Sequence, residues 1–190
     1  MLNKKSLIVG ALGLGCLLAL QVGPAMAQEV NKGKIPEAQL ETSYKTLEWG
    51  AEIWDTAEAV GHLKKGDNLL WVDTRPASFF NKGTVRGAVH LIYNKAGMEE
   101  NTLNADSLAA AITEAGMSKE SAKIAFFCQG PKCHRSYNAS FAAITEWGYK
   151  ADNIIWFRSG YPYLLKEVKD NAKLKRKAKK YISDAGLKEL

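Results

Sequence analysis

A short apolar run that ends at a cysteine constrains the fold of this chain more than any other segment. Residues 124–127 read Ile-Ala-Phe-Phe, which is too short for a helix and apolar throughout, as in a strand covered on both faces. Cys128 follows directly, and Gly130 and Pro131 then break regular structure. From Tyr137 onward, apolar residues recur at helical spacing. They are Tyr137, Phe141, Ile144 and Trp147. The sequence therefore predicts a strand, a loop that begins at Cys128, and a helix.

The loop carries residues suited to binding an anion. Unpaired N–H groups and the helix dipole favour negative charge at a helix N-terminus, and the same field favours a thiolate. With Lys132 and Arg135 nearby, we expect Cys128 to be a nucleophile at neutral pH. An inert buried cysteine at the end of a strand is the structural alternative. The residues expected to bind substrate in this loop are Gln129, Gly130, Lys132, His134, Arg135 and Ser136, the last of which is also the expected helix cap.

Four further segments have the length and apolar character of strands. They are residues 53–54, 68–72, 89–92 and 153–157. Helices are predicted between the strands. They cover residues 57–64, capped by Thr56, and a stretch from Asp106 or Ser107 to Ala115. Strands without polar alternation, joined by helices, indicate an α/β fold with a central parallel sheet of about five strands and helices on both faces.

Functional residues are expected at one edge of this sheet. In parallel sheets, sites form outside the carboxyl ends of the strands, and Cys128, Asp73 and Arg158 all lie at such ends. Asp73 and Arg75 are therefore expected near the loop, as a buried ion pair that fixes the turn. Arg158 either adds a third cation to the pocket or is an ordinary surface residue.

The first 27 residues are typical of a signal peptide for export. Two lysines precede an apolar segment that is too short for an ordinary membrane span, and Ala25-Met26-Ala27 places small residues at the cleavage site. Cleavage after Ala27 would deliver residues 28–190 to the periplasm or the cell exterior. An alternative interpretation is a lipoprotein with its lipid on Cys16. The residue three before Cys16 is Gly13, however, and a lipoprotein signal needs a large aliphatic side chain at that position.

The remaining chain divides into three parts. Residues 28–50 have few periodic apolar positions and are interpreted as an N-terminal extension, and residues 51–165 as one domain. Residues 166–190 are interpreted as a basic amphipathic helix, where much of the net charge of +6 is concentrated, with Leu174, Ala178 and Tyr181 on one apolar stripe. Such a helix can bind anionic lipid or nucleic acid, but export disfavours nucleic acid, and a solvated helix is the simpler interpretation. We expect no nucleic-acid partner and no stable membrane anchor.

Two motifs occur in order along residues 51–165. One is the strand-ending Cys128 with its loop closed by Arg135-Ser136, and the other runs from Asp73 to Val89 as DTRPASFFNKGTVRGAV. The second is similar to the pattern D-x-R-x(4)-F-x-x-G-H-I-x-G-A of the rhodanese-like (sulfurtransferase) domains, and together the two motifs resemble that family. The chain departs from the family at Thr84, where His is usual, and in a longer loop that places the arginine seven residues after the cysteine.

The resemblance implies sulfur transfer without a cofactor. The Cys128 thiolate would take the outer sulfur of a small anionic donor such as thiosulfate, and a thiol or cyanide acceptor would remove it from the resulting persulfide. Loop amides, with Lys132 and Arg135, would hold the leaving sulfite. Cys133 would resolve the persulfide or pair with Cys128 in a disulfide, which an oxidising compartment favours.

Other activities use some of the same residues. Phosphatase and arsenate chemistry needs a cysteine loop of closely defined size, which this loop exceeds. Residues 128–134 also read Cys-x(4)-Cys-His, as in some c-type cytochromes, but a first cysteine on a buried strand leaves haem no room. The two cysteines and His134 fall short of a closed four-ligand zinc site, so no metal is expected. A thiol-disulfide redox or sulfur-relay protein, and a rhodanese-like module that binds without catalysis, remain as alternatives.

Overall fold

The structure is a computed structural model that describes residues 35–94 and 101–190. The expected signal peptide, its cleavage site and the alternative lipid site at Cys16 lie outside these residues. In the part of the chain that is described, no helix has the length and apolar character needed to cross a bilayer.

Five parallel strands form one sheet. They are β1 (Glu52–Trp54), β2 (Leu70–Asp73), β3 (Val89–His90), β4 (Ile124–Phe127) and β5 (Ile154–Phe157). The order across the sheet is β1-β5-β4-β2-β3, and all neighbouring strands pair in parallel. The predicted α/β fold with a five-stranded parallel sheet is therefore confirmed, and the strand that ends at the cysteine lies at its centre.

The strands are uniformly apolar because both faces of the sheet are covered. In β4, Ile124 and Phe126 pack into one core, whereas Ala125 and Phe127 pack into the other, as the alternation of side chains along a strand requires. All four side chains are fully buried. The helices that cover the two faces are α1 (Thr56–Lys65), α3 (Ala105–Glu114), α4 (His134–Thr145) and α5 (Gly160–Asp170), and the short α2 (Ala77–Phe80) follows β2 in the chain. Helices α3 and α4 lie on one face, and α1 and α5 on the other.

Two predicted helix starts are shifted. Helix α1 is capped by Asp55 rather than Thr56, and the Glu58 carboxylate accepts a hydrogen bond from the Asp55 backbone N–H at 3.1 Å. Helix α3 is capped by Asn104, whose side-chain oxygen accepts from the Ser107 N–H at 2.9 Å. In each case an Asp or Asn a residue or more earlier is the better cap, because its side-chain oxygen can reach the amides of the first turn.

The prediction that residues 166–190 form one helix is wrong. Helix α5 ends at Asp170, and the Asn171 side chain accepts hydrogen bonds from the backbone N–H groups of Lys173 and Leu174, which begins a new short helix. The segments that follow are α6 (Ala172–Lys175), a 3-10 turn (Ala178–Lys180) and α7 (Asp184–Leu187). The expected apolar stripe is nevertheless buried, in the core that contains α1 and α5. Its members are Leu174, Ala178 and Tyr181.

The N-terminal extension packs on the face covered by α4. Leu47 is buried, and the Trp49 ring contacts the Tyr137 ring edge-on at 4.8 Å between centroids. The side-chain oxygen of Gln39 accepts a hydrogen bond from the Tyr137 hydroxyl at 2.7 Å. The described part of the extension therefore belongs to the folded unit.

Candidate active site

The cysteine loop lies at the carboxyl edge of the sheet and leads into α4. Residues 128–133 connect the two elements, and Cys133 rather than Ser136 occupies the N-cap position. The predicted cap is therefore wrong and lies one turn too late, because α4 already begins at His134, directly after Cys133. Ser136 is buried inside the first turn instead, where its hydroxyl accepts a hydrogen bond from the Trp156 indole N–H at 3.2 Å.

Cys128 and Cys133 are joined by a disulfide. Their Cα atoms are 6.1 Å apart, within the span of roughly 4.4–6.8 Å that such bonds require. The two residues differ in exposure, because Cys128 is 1% exposed whereas Cys133 is only partly buried. In the described residues, no three His, Cys, Asp or Glu side chains converge as metal ligands would.

An open pocket of about 340 Å³ lies over the loop. Its lining consists of Gln129, Gly130, Pro131, Lys132, Cys133 and Tyr163. Among residues 35–94 and 101–190, no protein acceptor pairs with the backbone N–H groups of Gln129, Gly130 and Lys132. The Lys132 side chain is exposed beside them. Free amides next to a cation can bind a small anion.

The start of α5 holds the loop in position. The Tyr161 N–H of α5 donates to the Cys128 carbonyl oxygen at 3.0 Å. Within the loop itself, the Cys133 N–H donates to the Gly130 carbonyl oxygen at 2.9 Å. Gly160 has a φ of 69°, and a Cβ at this position would lie 2.3 Å from the Cys128 carbonyl oxygen. Only glycine therefore lets the two backbones approach so closely.

Tyr163 was not predicted as a site residue. It reaches the pocket from α5, and it lies 3.3 Å from the position that a Cβ of Gly130 would occupy. The available sequence signal was the Gly-Tyr-Pro-Tyr stretch that follows the carboxyl end of the last strand, since such ends border sites in parallel sheets.

Asp73 and Arg75 form the expected buried ion pair, with 2.6 Å between Arg75 Nη2 and Asp73 Oδ2. Arg75 Nη1 also donates to the Gln129 side-chain oxygen at 3.0 Å, so the pair is connected to the cysteine loop. Thr84, which replaces the usual His, donates its hydroxyl hydrogen to Asp73 Oδ2 at 2.6 Å. The buried Asp73 carboxylate therefore accepts hydrogen bonds from a neutral hydroxyl as well as from Arg75.

His134 and Arg135 face the chain segment after β3. His134 Nε2 lies 3.3 Å from Asn94 Oδ1, and Arg135 Nη1 donates to the Tyr93 carbonyl oxygen at 3.1 Å. Burial, together with the nearby Arg135 charge, lowers the pKa of His134 below its ordinary value. Neither side chain lines the pocket over the loop, so Lys132 is the loop cation that does.

Arg158 lies neither in the pocket nor at the surface, and both forms of the prediction are wrong. It is 1% exposed, and its guanidinium forms a two-pronged ion pair with Asp55. Nη1 also donates to the Gln39 and Glu41 carbonyl oxygens at 3.3 and 2.5 Å. Burial alone would raise the pKa of Asp55, but the hydrogen bonds and charge of Arg158 outweigh it and lower that pKa. A buried guanidinium needs such partners.

Several solved structures are similar to this chain. The BH2092 protein from Bacillus halodurans is 25% identical, with 62% of this chain and 73% of that chain covered and a TM-score of 0.45. The rhodanese-like domain of an Anabaena sp. protein is 16% identical, with 58% and 70% covered and a TM-score of 0.41. The As-Sb reductase from Leishmania major is 16% identical, with 63% and 80% covered and a TM-score of 0.46.

A comparison with curated proteins found no match. The model of one family, described as the rhodanese-like domain, matches residues 55–167. This match spans more than half of the chain and includes both motifs identified in the sequence. The chain therefore belongs to the rhodanese-like domain family.

Proposed function

We propose that this protein is an exported sulfurtransferase that takes sulfane sulfur from thiosulfate or a similar anionic donor through a persulfide on Cys128. One observation carries the proposal: Cys128 ends the central strand and opens a loop whose amides at Gln129, Gly130 and Lys132 have no acceptor among the described residues. Membership of the rhodanese-like family supports sulfur chemistry at this cysteine.

Reduction of the disulfide is the first requirement. It frees Cys128 as a thiolate, which the amides of the loop and the N-terminus of α4 stabilise. The thiolate attacks the outer sulfur of thiosulfate, the bond between the two donor sulfurs breaks, and sulfite leaves. Cyanide or a thiol then takes the outer sulfur of the persulfide, and the Cys128 thiolate is the leaving group.

Lys132 and the loop amides bind the anionic donor and stabilise the charge that develops on sulfite. Arg135 donates to the Tyr93 carbonyl, which supports a role in shaping the loop rather than in holding sulfite. Arg75 positions Gln129 through the hydrogen bond to its side-chain oxygen. These roles predict that Lys132→Gln raises the KM for thiosulfate and leaves the KM for cyanide unchanged.

The test is sulfite release from the reduced protein and thiocyanate formation when cyanide is added. Cys128→Ser should abolish both. The matched variant Cys133→Ser should release sulfite and gain one sulfur atom in its intact mass, located on Cys128. Sulfite release from Cys128→Ser at the wild-type rate, or none from the reduced wild type, would contradict the proposal.

Export is the second part of the proposal, and it is supported by the sequence of residues 1–27. Protein recovered from the periplasmic fraction of a bacterial host should begin at Gln28. Recovery in the cytoplasmic fraction with Met1 intact, or with a lipid on Cys16, would contradict it.

A further inference from the structure

We propose that Cys133 resolves the Cys128 persulfide by attacking Cys128 Sγ, so that the protein releases the transferred sulfur as sulfide and uses a dithiol as reductant. The inference rests on the proposed function, because it begins from the persulfide. It adds a second half-reaction, a named role for Cys133 and a second substrate class.

The first supporting observation is that the two sulfur atoms are already bonded with β4 and α4 in place. Cys133 therefore reaches Cys128 Sγ without any rearrangement of the elements that carry them. The loop between them is held by hydrogen bonds to the Cys128 and Gly130 carbonyl oxygens. Closure of the disulfide is thus an intramolecular step within a preformed loop.

The second observation is the unequal exposure of the two cysteines. Cys128 is 1% exposed and does not line the pocket, whereas Cys133 does. Which sulfur of a disulfide is attacked depends on access, so an external thiolate attacks Cys133. The leaving group is then the Cys128 thiolate, which is the form that the next donor molecule requires.

The third observation is the place of Cys133 at the N-cap of α4, with the exposed Lys132 before it. Cysteines at helix N-termini and beside cations ionise more readily. In the reduced protein Cys133 is therefore available as a thiolate beside the persulfide, and this thiolate is the nucleophile of the resolving step.

The steps balance as follows. The Cys128 thiolate, thiosulfate and one proton give the Cys128 persulfide and sulfite. The Cys133 thiolate then attacks Cys128 Sγ, the bond to the outer sulfur breaks, and that sulfur leaves as HS⁻ with its electron pair. The two cysteines are oxidised to the disulfide and the outer sulfur is reduced to sulfide. A dithiol finally reduces the disulfide in two exchange steps, becomes a cyclic disulfide, and gives up two protons.

The net reaction converts thiosulfate and a dithiol into sulfite, hydrogen sulfide and an oxidised dithiol. A monothiol or cyanide acceptor attacks the outer sulfur of the persulfide, one atom beyond the buried Cys128 Sγ, and so bypasses Cys133. In this sequence of steps Cys133 takes part in sulfide release and not in the formation of the persulfide.

A single turnover without external reductant tests the inference. The protein is reduced, freed of reductant under nitrogen and mixed with thiosulfate, and sulfite and sulfide are measured. Trypsin cleavage after Lys123 and Lys132 places the two cysteines on separate peptides, residues 124–132 and 133–135, so mass spectrometry shows which cysteine carries sulfur. We expect the wild type to release sulfite and sulfide in equal amounts and to yield the two peptides joined by a disulfide.

Cys133→Ser is the matched variant, with Cys133→Ala as a second. Both should release as much sulfite as the wild type but no sulfide, and should retain a persulfide on the peptide 124–132. Sulfite without sulfide from the wild type, or a persulfide on the peptide 133–135, would overturn the resolving role while sulfur transfer stands. Absence of sulfite from all three proteins would instead overturn the proposed function, and the inference with it.

Discussion

Replacement of Gly160 by alanine tests whether the start of α5 sets the position of the cysteine loop. Gly160 has a φ of 69°, and the left-handed conformation costs an alanine about 1–2 kcal/mol. The added Cβ would also lie 2.3 Å from the Cys128 carbonyl oxygen and 2.9 Å from the Gly130 nitrogen. Both are backbone atoms, so no side-chain rotation relieves the contact.

The size of the effect follows from these distances. A carbon and a carbonyl oxygen approach to about 3.3 Å, so the loop backbone must move by about 1 Å. Such overpacking costs about 1–3 kcal/mol, which together with the backbone term predicts a loss of about 2–5 kcal/mol in the free energy of unfolding. A displacement of about 1 Å at a reacting group can lower a rate about 100-fold, which is the expected loss in kcat/KM for thiosulfate.

Gly148→Ala is the control, because Gly148 has a φ of 72° but no atom within 4 Å of its added Cβ. It should lose only the backbone term and keep its activity. Urea denaturation gives the two free energies, and the rate of Cys128 alkylation by iodoacetamide in the reduced protein reports loop geometry independently of any enzymatic activity. Equal stability losses and equal alkylation rates in the two variants would refute the reasoning.

Three further changes probe buried and partly buried polar groups. Arg158→Met should cost about 3–5 kcal/mol in urea denaturation, because it leaves Asp55 without its ion pair; if the folded fraction shows a raised KM for thiosulfate, Arg158 acts at the pocket after all. The pKa of His134 is lowered in the folded protein, which therefore binds fewer protons than the unfolded chain. The stability that neutral His134 contributes is present above pH 6.5 and is lost as the pH falls below that value. Denaturation at about pH 7.5 and about pH 5.5 should show a smaller pH-dependent loss in His134→Gln than in the wild type. Thr84→Val should cost about 1–3 kcal/mol, since it removes the hydroxyl donor from the buried Asp73 carboxylate, and an unchanged urea midpoint would show that this hydrogen bond contributes nothing.

The centre of the fold could be predicted because its pattern is local. A strand buried on both faces has no polar alternation, so residues 124–127 were identified with the same bounds as β4. The loop and the helix that follow could be predicted in the same way, because Gly130 and Pro131 break regular structure and the apolar residues from Tyr137 onward recur at helical spacing. Since the carboxyl ends of parallel strands share one edge, the proximity of Asp73 and Arg75 to the loop also followed, and Arg75 does bond Gln129.

Arg158 could not be placed from the sequence. Its ion-pair partner Asp55 is 103 residues away and its carbonyl partners are more distant still, and no local pattern encodes such contacts. The prediction of a single C-terminal helix is wrong for a different reason. The apolar spacing of Leu174, Ala178 and Tyr181 gave the correct buried face, but Asn171 can either sit in a helix or cap a new one, and tertiary packing decides between the two.

Strand β1 lies just outside the residues that define the family match, which begins at Asp55. It pairs with β5 along Ile155, Trp156 and Phe157, so a fragment cut at residue 55 would turn β5 into an open edge. An apolar strand with unpaired N–H and C=O groups is a template for strand addition from another chain. Such a fragment should therefore aggregate where the longer chain does not, and the minimal folding unit should extend toward residue 35 to include the N-terminal segment that Arg158 binds.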